Sequence, residues 1–207
     1  MAVSLPAGWH NLFLIGYRGT GKSSVARLLA ERLSWIAVDA DEVLERQAGR
    51  SIQAIFQTDG EVTFRDLESQ VVAQLARGEQ QVVALGGGAV LREQNRAVLA
   101  GRGLVIWLDA SAETIERRLQ LDPLTQQRRP NLTATGGSSE IRELLARRAP
   151  IYAAMADHRV ETDAYSPVEV AAAIERWLRL QSSWPGGPRT ASSTENLTRS
   201  DPRGGST

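Results

Sequence analysis

Cysteine is missing from all 207 residues. That excludes disulfides, iron–sulfur clusters and cysteine-ligated zinc, and it fits a reducing compartment. Histidine is scarce. His10 and His158 stand far apart, without the spacing of a metal site, and are read as surface or strand residues. Neither sign of charge dominates: 24 Lys and Arg balance 24 Asp and Glu. A nucleic-acid partner would therefore gain no long-range attraction. No apolar run approaches the ~20 residues of a membrane span. The N-terminus shows no basic stretch followed by a long apolar one, so no secretory leader is expected. These absences lead to an expected soluble, cytoplasmic protein with no membrane or nucleic-acid partner.

What is present is one compact domain with a change of composition near its end. Of the last 26 residues, 17 are Gly, Pro, Ser or Thr. Such a segment buries too little to offset its ordering entropy, so 182–207 is expected to be a disordered tail behind a domain at 1–181. Inside the domain, strand and helix patterns alternate. Strands are predicted at 11–15, 35–38, 81–85, 103–108 and 159–161. Helices are predicted at 22–33, 41–48, 51–58, 61–77, 93–99, 111–121, 141–152 and 168–180. Ser111 is a plausible N-cap, and 122–137 reads as a long loop. Repeated alternation of this kind predicts an α/β layered fold around a parallel sheet. Ligands of such sheets bind beyond the carboxyl ends of the strands.

The first of those strand ends carries Gly16-Tyr17-Arg18-Gly19-Thr20-Gly21-Lys22-Ser23. It fits G-x-x-x-x-G-K-[ST] in the required setting of strand, loop and helix. Glycines let successive N–H groups turn toward an anion at a helix start. Lys22 can reach the β- and γ-phosphates, and the Ser23 hydroxyl can ligate Mg²⁺. The metal needs an acidic partner at a neighbouring strand end. Asp109 is one candidate, but it sits where a turn or cap is also expected. Asp39 and Asp41 could be caps of the same kind, yet together at one strand end they are the better candidate, since one acid can serve the metal and the other the substrate.

The predicted strand 81–85 runs into Gly86-Gly87-Gly88, which suits either a bend or a close backbone approach to a ligand. Arg65, flanked by Glu61 and Glu68, reads on pattern alone as part of a solvated face. Arg148 continues the apolar stripe of Ile141, Leu144 and Leu145, whereas Arg147 lies off it. A cation on an inward face needs an anionic partner, either a structural carboxylate or a bound acid. Arg128 and Arg129 lie in the long loop, where a lid could bring a cation onto transferring phosphate.

Taken together in this order and spacing, these pieces resemble the shikimate kinase family of small P-loop kinases. The resemblance runs from about Leu12 to Ile174. It adds Gly49-Arg50-Ser51-Ile52, Gly60-Glu61, Phe64-Arg65-x-x-Glu68, Arg129-Pro130 and Arg148-Ala149-Pro150-Ile151-Tyr152 to the motifs above. It implies a P-loop NTPase-like three-layer fold with a five-stranded parallel sheet in the order 2-3-1-4-5 and helices on both faces. It also implies a monomer that phosphorylates the shikimate 3-hydroxyl with ATP and Mg²⁺, a step toward chorismate and the aromatic amino acids. ATP would be held by Gly19, Thr20, Gly21, Lys22, Ser23, Ser24, Arg118, Arg129 and Pro167. Shikimate would be held by Asp41, Arg65, Gly86, Gly87, Gly88 and Arg148, with the segment 41–77 as the substrate-binding part and 122–137 as the lid. The metal would fall to Ser23 and Asp39, and catalysis to Lys22, Asp41 and Arg129. Where the family usually reads Arg-Pro-Leu-Leu in the lid, this chain has Arg129-Pro130-Asn131-Leu132, with Arg128 as the alternative lid arginine. Two rivals are kept. A gluconate kinase would share the loop and fold, and a non-enzymatic nucleotide-binding module would keep the loop alone.

Overall fold

The computed structural model describes residues 10–121 and 137–181. The expected lid over 122–137, including Arg128 and Arg129, therefore falls almost wholly outside the described residues, as does the expected tail.

The strands are β1 (Asn11–Ile15), β2 (Ile36–Asp39), β3 (Gln81–Ala84), β4 (Gly103–Asp109) and β5 (His158–Glu161). The helices are α1 (Lys22–Leu33), α2 (Ala40–Ala48), α3 (Ile52–Leu75), α4 (Glu93–Leu99), α5 (Ala112–Leu121), α6 (Gly137–Met155) and α7 (Pro167–Gln181). A single 3₁₀ turn, Ala89–Leu91, precedes α4. The sheet has five strands in the order β2-β3-β1-β4-β5, with every neighbouring pair parallel, as the resemblance implied.

Alternation along β1 shows why two layers of helix are needed. Leu12 and Leu14 point to one face, where they meet Val25 and Leu29 of α1 and Val170, Ile174 and Leu178 of α7. Phe13 and Ile15 point to the other, against Val43 of α2, Phe64 and Val72 of α3 and Tyr152 of α6. A central parallel strand covered on both sides is apolar along its whole length. Each fully buried Leu, Ile or Phe contributes roughly 2–3 kcal/mol of transfer free energy. β2, at the sheet edge, is barely covered, and Ile36 is 63% exposed. A third cluster joins Tyr17 to α5 and α6 through Ile115, Leu119 and Ile141.

Element boundaries depart from expectation where a local bond intervenes. Ser34 adopts a left-handed conformation (φ 57°), and the Trp35 amide still donates to Ala30 O at 2.8 Å. Trp35 thus closes α1 rather than opening β2. The two helical pieces expected around Gly60 form one element broken at that residue, whose φ of 79° and ψ of 177° only glycine adopts readily. Ser111 caps α5 through its Oγ, 3.2 Å from the Thr114 amide. The two histidines behave as read: His10 is exposed, and His158 is buried at the start of β5, stacked on Trp177.

Candidate functional site

The carboxyl ends of β1, β2 and β3 bring the predicted groups together. Gly16 follows β1 with φ 134°, and any Cβ there would collide with the Leu108 carbonyl of β4. The loop can make this approach only with glycine. Gly21 ends the loop with φ 93° and supplies no side-chain cap, so the first amides of α1 stay available to an anion. Lys22 is buried and folds back over the loop, donating to Gly16 O at 2.9 Å and Tyr17 O at 2.8 Å. Thr20 Oγ1 also donates to Tyr17 O, at 2.8 Å. The loop is thus held closed by its own side chains.

The two candidate acids differ in their partners. Asp39 Oδ2 accepts from Ser23 Oγ at 2.5 Å, while its Oδ1 accepts from the Asp41 amide at 3.0 Å and caps α2. Asp109 is committed elsewhere: Arg159 holds its Oδ2 at 2.6 and 3.0 Å, and its Oδ1 accepts from the Ala110 amide. Ser23 and Asp39 therefore present paired hard oxygens, a donor set that suits Mg²⁺. Among the described residues no cluster of three or more His, Cys, Asp or Glu could hold a metal alone.

Beside the loop lies a cavity of about 350 Å³. Gly19, Thr20, Gly21 and Ser24 form one wall, and Arg118, Thr162, Tyr165 and Pro167 face them. Arg118 is anchored by Nη2 to Thr162 O (2.5 Å) and by Nη1 to Thr162 Oγ1 (2.9 Å). Burial lowers its pKa from the usual arginine value and Asp163 pushes it back up; a guanidinium remains charged at any working pH. Arg118 and Pro167, which the resemblance assigned to ATP, line this same cavity. Thr162 and Tyr165 were missed, although Thr162 directly follows β5, which the strand-end rule could have flagged.

On the far side of the loop stands the glycine triplet. None of its members has a positive φ, so a left-handed bend is not what requires glycine here. Close approach is. A Cβ on Gly88 would run into Arg65 Nη1 and lie 2.8 Å from Cζ and Nη2; one on Gly87 would lie 3.3 Å from Gly16 O and Arg18 N. Arg148 is buried, its Nη1 donating to Gly87 O at 3.3 Å, and Tyr152 Oη donates to the same oxygen at 2.6 Å. Arg147 points outward to Glu143. The solvated-face reading of Arg65 is corrected. Its side chain is only 12% exposed, and Glu68, itself buried, holds Nη1 at 2.7 Å while Glu61 holds Nε and Nη2. Packing against Gly88, distant in sequence, removes it from water. Tyr17, which no pattern singled out, lies under this group: its ring centroid is 5.3 Å from Arg148 Cζ. Asp41 sits in the first turn of α2, partly buried.

Residues 18–179 match the family model described as shikimate kinase. A shikimate kinase of Rhodopirellula baltica is 45% identical over 152 residues, 73% of this chain and 81% of the relative. One from Symbiobacterium thermophilum is 46% identical over 169 residues, covering 82% and 96%. Among solved structures, the shikimate kinase of Acinetobacter baumannii in complex with shikimate superposes with a TM-score of 0.77 at 34% identity, over 82% of this chain and 93% of that one.

Proposed function

The chain belongs to the shikimate kinase family, and from that premise we propose how its own residues carry out ATP-dependent phosphorylation of the shikimate 3-hydroxyl. The observation that carries the assignment is the convergence of Arg65 and Arg148 on consecutive glycines, Gly88 and Gly87. Two guanidinium groups fixed on adjacent residues match one carboxylate, which each can bind by charge-assisted hydrogen bonds. Glu68 and Glu61 orient Arg65, and Gly87 O with the Tyr17 ring orients Arg148. Asp41 accepts from the ring hydroxyls and takes the 3-hydroxyl proton as the oxygen bonds to the γ-phosphorus.

The nucleotide takes the cavity beside the loop, with its phosphates on the amides of Gly19, Thr20, Gly21, Lys22, Ser23 and Ser24 and its base between Arg118 and Pro167. Lys22 already points into the loop and exchanges its carbonyl partners for phosphate oxygens. Ser23 and Asp39 would hold Mg²⁺, which when bound neutralises charge on the phosphates. Arg129, outside the described residues, is assigned to close on the transferring group. The transition state is loose, so holding donor and acceptor in line matters more than a strong base. We read the chain further as a cytoplasmic monomer that takes shikimate as its small-molecule substrate, and its balanced charge offers a nucleic acid no long-range attraction.

The test is a double-mutant cycle. Arg65→Ala and Arg148→Ala should each lower kcat/KM by ~2–4 kcal/mol, as when one member of a close charge pair is removed. The double variant should fall by less than the sum, since both grip one group. ATP affinity without shikimate should hold. Weakened ATP binding with an unchanged shikimate KM would place the acceptor elsewhere.

A further inference from the structure

The nucleotide loop divides at Arg18. On one side Gly19, Thr20 and Gly21 line the nucleotide cavity. On the other, the loop backs onto the glycine turn, where a Gly87 Cβ would lie 3.3 Å from both Gly16 O and the Arg18 amide nitrogen. Arg18 therefore stands where the donor cavity adjoins the acceptor turn, at the boundary that the phosphoryl group crosses. Nothing in the loop pattern asks for a cation at this position, which it leaves unspecified. The side chain is partly buried. Its Cζ lies 5.9 Å from the Tyr17 ring centroid, the same centroid that stands 5.3 Å from Arg148 Cζ. Tyr17 is itself immobilised. Its ring is 1% exposed among Ala112, Ile115 and Ile141, and its carbonyl accepts from Lys22 and Thr20. Both guanidinium groups thus stand against one fixed ring, and their positive potential beside it favours an anion.

We propose that Arg18 is a further catalytic residue whose guanidinium contacts the phosphoryl group during transfer and the 3-phosphate of the product. The proposal rests on the acceptor site assigned above. In the step, the 3-hydroxyl oxygen bonds to the γ-phosphorus and the β–γ bridging P–O bond breaks. That electron pair leaves with ADP, and the hydroxyl proton passes to Asp41. Arg18 keeps its protons throughout. It contributes fixed positive charge and a planar fork of donors suited to phosphate oxygens. Because its target exists only as the phosphate moves, its effect falls on turnover and on the product rather than on either substrate.

The test compares Arg18→Met and Arg18→Lys with the parent. We expect Arg18→Met to lower kcat about tenfold or more, with the KM values for ATP and shikimate within about threefold. Calorimetry on the nucleotide-free proteins should show shikimate 3-phosphate weakened about tenfold and shikimate itself within about threefold. Arg18→Lys, which keeps the charge but loses the fork, should fall between. A kcat within twofold of the parent overturns the proposal, as does an equal loss of affinity for shikimate and its 3-phosphate. Should Arg18→Met unfold at assay temperature, the ratio of product to acceptor affinity in Arg18→Lys decides alone: a ratio equal to the parent's overturns it. Arg65→Ala is the parallel control, because an unchanged shikimate affinity in that variant would sink the acceptor site independently of the Arg18 result.

Discussion

Gly88→Ala separates binding from folding more cleanly than removal of any charge. The backbone at Gly88 has φ −107° and ψ −5°, which alanine accepts. The three atoms nearest the new methyl all belong to the far end of Arg65: Nη1, with Cζ and Nη2 at 2.8 Å. A flexible guanidinium can move aside, so stability should change by no more than ~1 kcal/mol. A shift small enough to keep the buried Glu68 paired still changes the orientation now fixed at 2.7 Å and takes Arg65 off the carboxylate site. A hydrogen bond to a charged group is worth about 1.5–3 kcal/mol, or roughly 10- to 150-fold in affinity. Steady-state kinetics with shikimate varied at saturating ATP should show a KM raised by about that factor. Urea unfolding should stay close to the parent, and ATP affinity should be unchanged. An unchanged shikimate KM would refute the contact between Arg65 and the substrate, since the substitution cannot leave that guanidinium where it is.

Other perturbations probe the remaining parts. Lys22→Ala should abolish nearly all phosphoryl transfer, by about 100-fold or more, because a charge on the β- and γ-phosphates is lost; near-normal turnover would remove Lys22 from the mechanism. Asp39→Asn should depress Mg²⁺-dependent turnover far more than Asp109→Asn, since Asp109 is committed to Arg159; the reverse ranking would move the metal-supporting acid to β4. Asp157, which caps the Val105 amide at 2.8 Å, has its pKa raised above 3.8 by burial, with that hydrogen bond opposing the shift. A carboxyl with a folded pKa above its unfolded one costs stability as pH rises from the unfolded value through the folded one. Asp157→Asn removes this cost, so its stability relative to the parent should grow as pH rises from about 3.8 and then level off; a gap that shrinks as pH rises would contradict it.

Much of this site could be read from the chain because its signals are local. The glycine loop carries its own flanks, Asp39 and Asp41 lie at a strand end, and Gly60 marks the break in α3 at the residue where two helical pieces were expected to part. Arg148 announced itself through the stripe of Ile141, Leu144 and Leu145, and it is buried as that stripe requires. Arg65 did not, because its neighbours in sequence, Glu61 and Glu68, are those of any solvated helix face. What buries it is Gly88, on a different element. Asp39 and Asp41 already ranked above Asp109 as a pair at one strand end; the hold of Arg159 in β5 on Asp109 adds a long-range reason that no spacing rule supplies. Tyr17 sits at an unspecified position of the loop, and its role beneath Arg148 appears only once α5 and α6 are packed around it.

The most direct measurement of the central claim is ADP release by the purified chain with ATP, Mg²⁺ and a single acceptor at a time, with the product followed by phosphorus NMR. Shikimate should support turnover with one new phosphomonoester per ADP, while gluconate and acceptor-free controls remain at background. Turnover with gluconate equal to or above that with shikimate, or ATP hydrolysis without any sugar-acid phosphate, would contradict it.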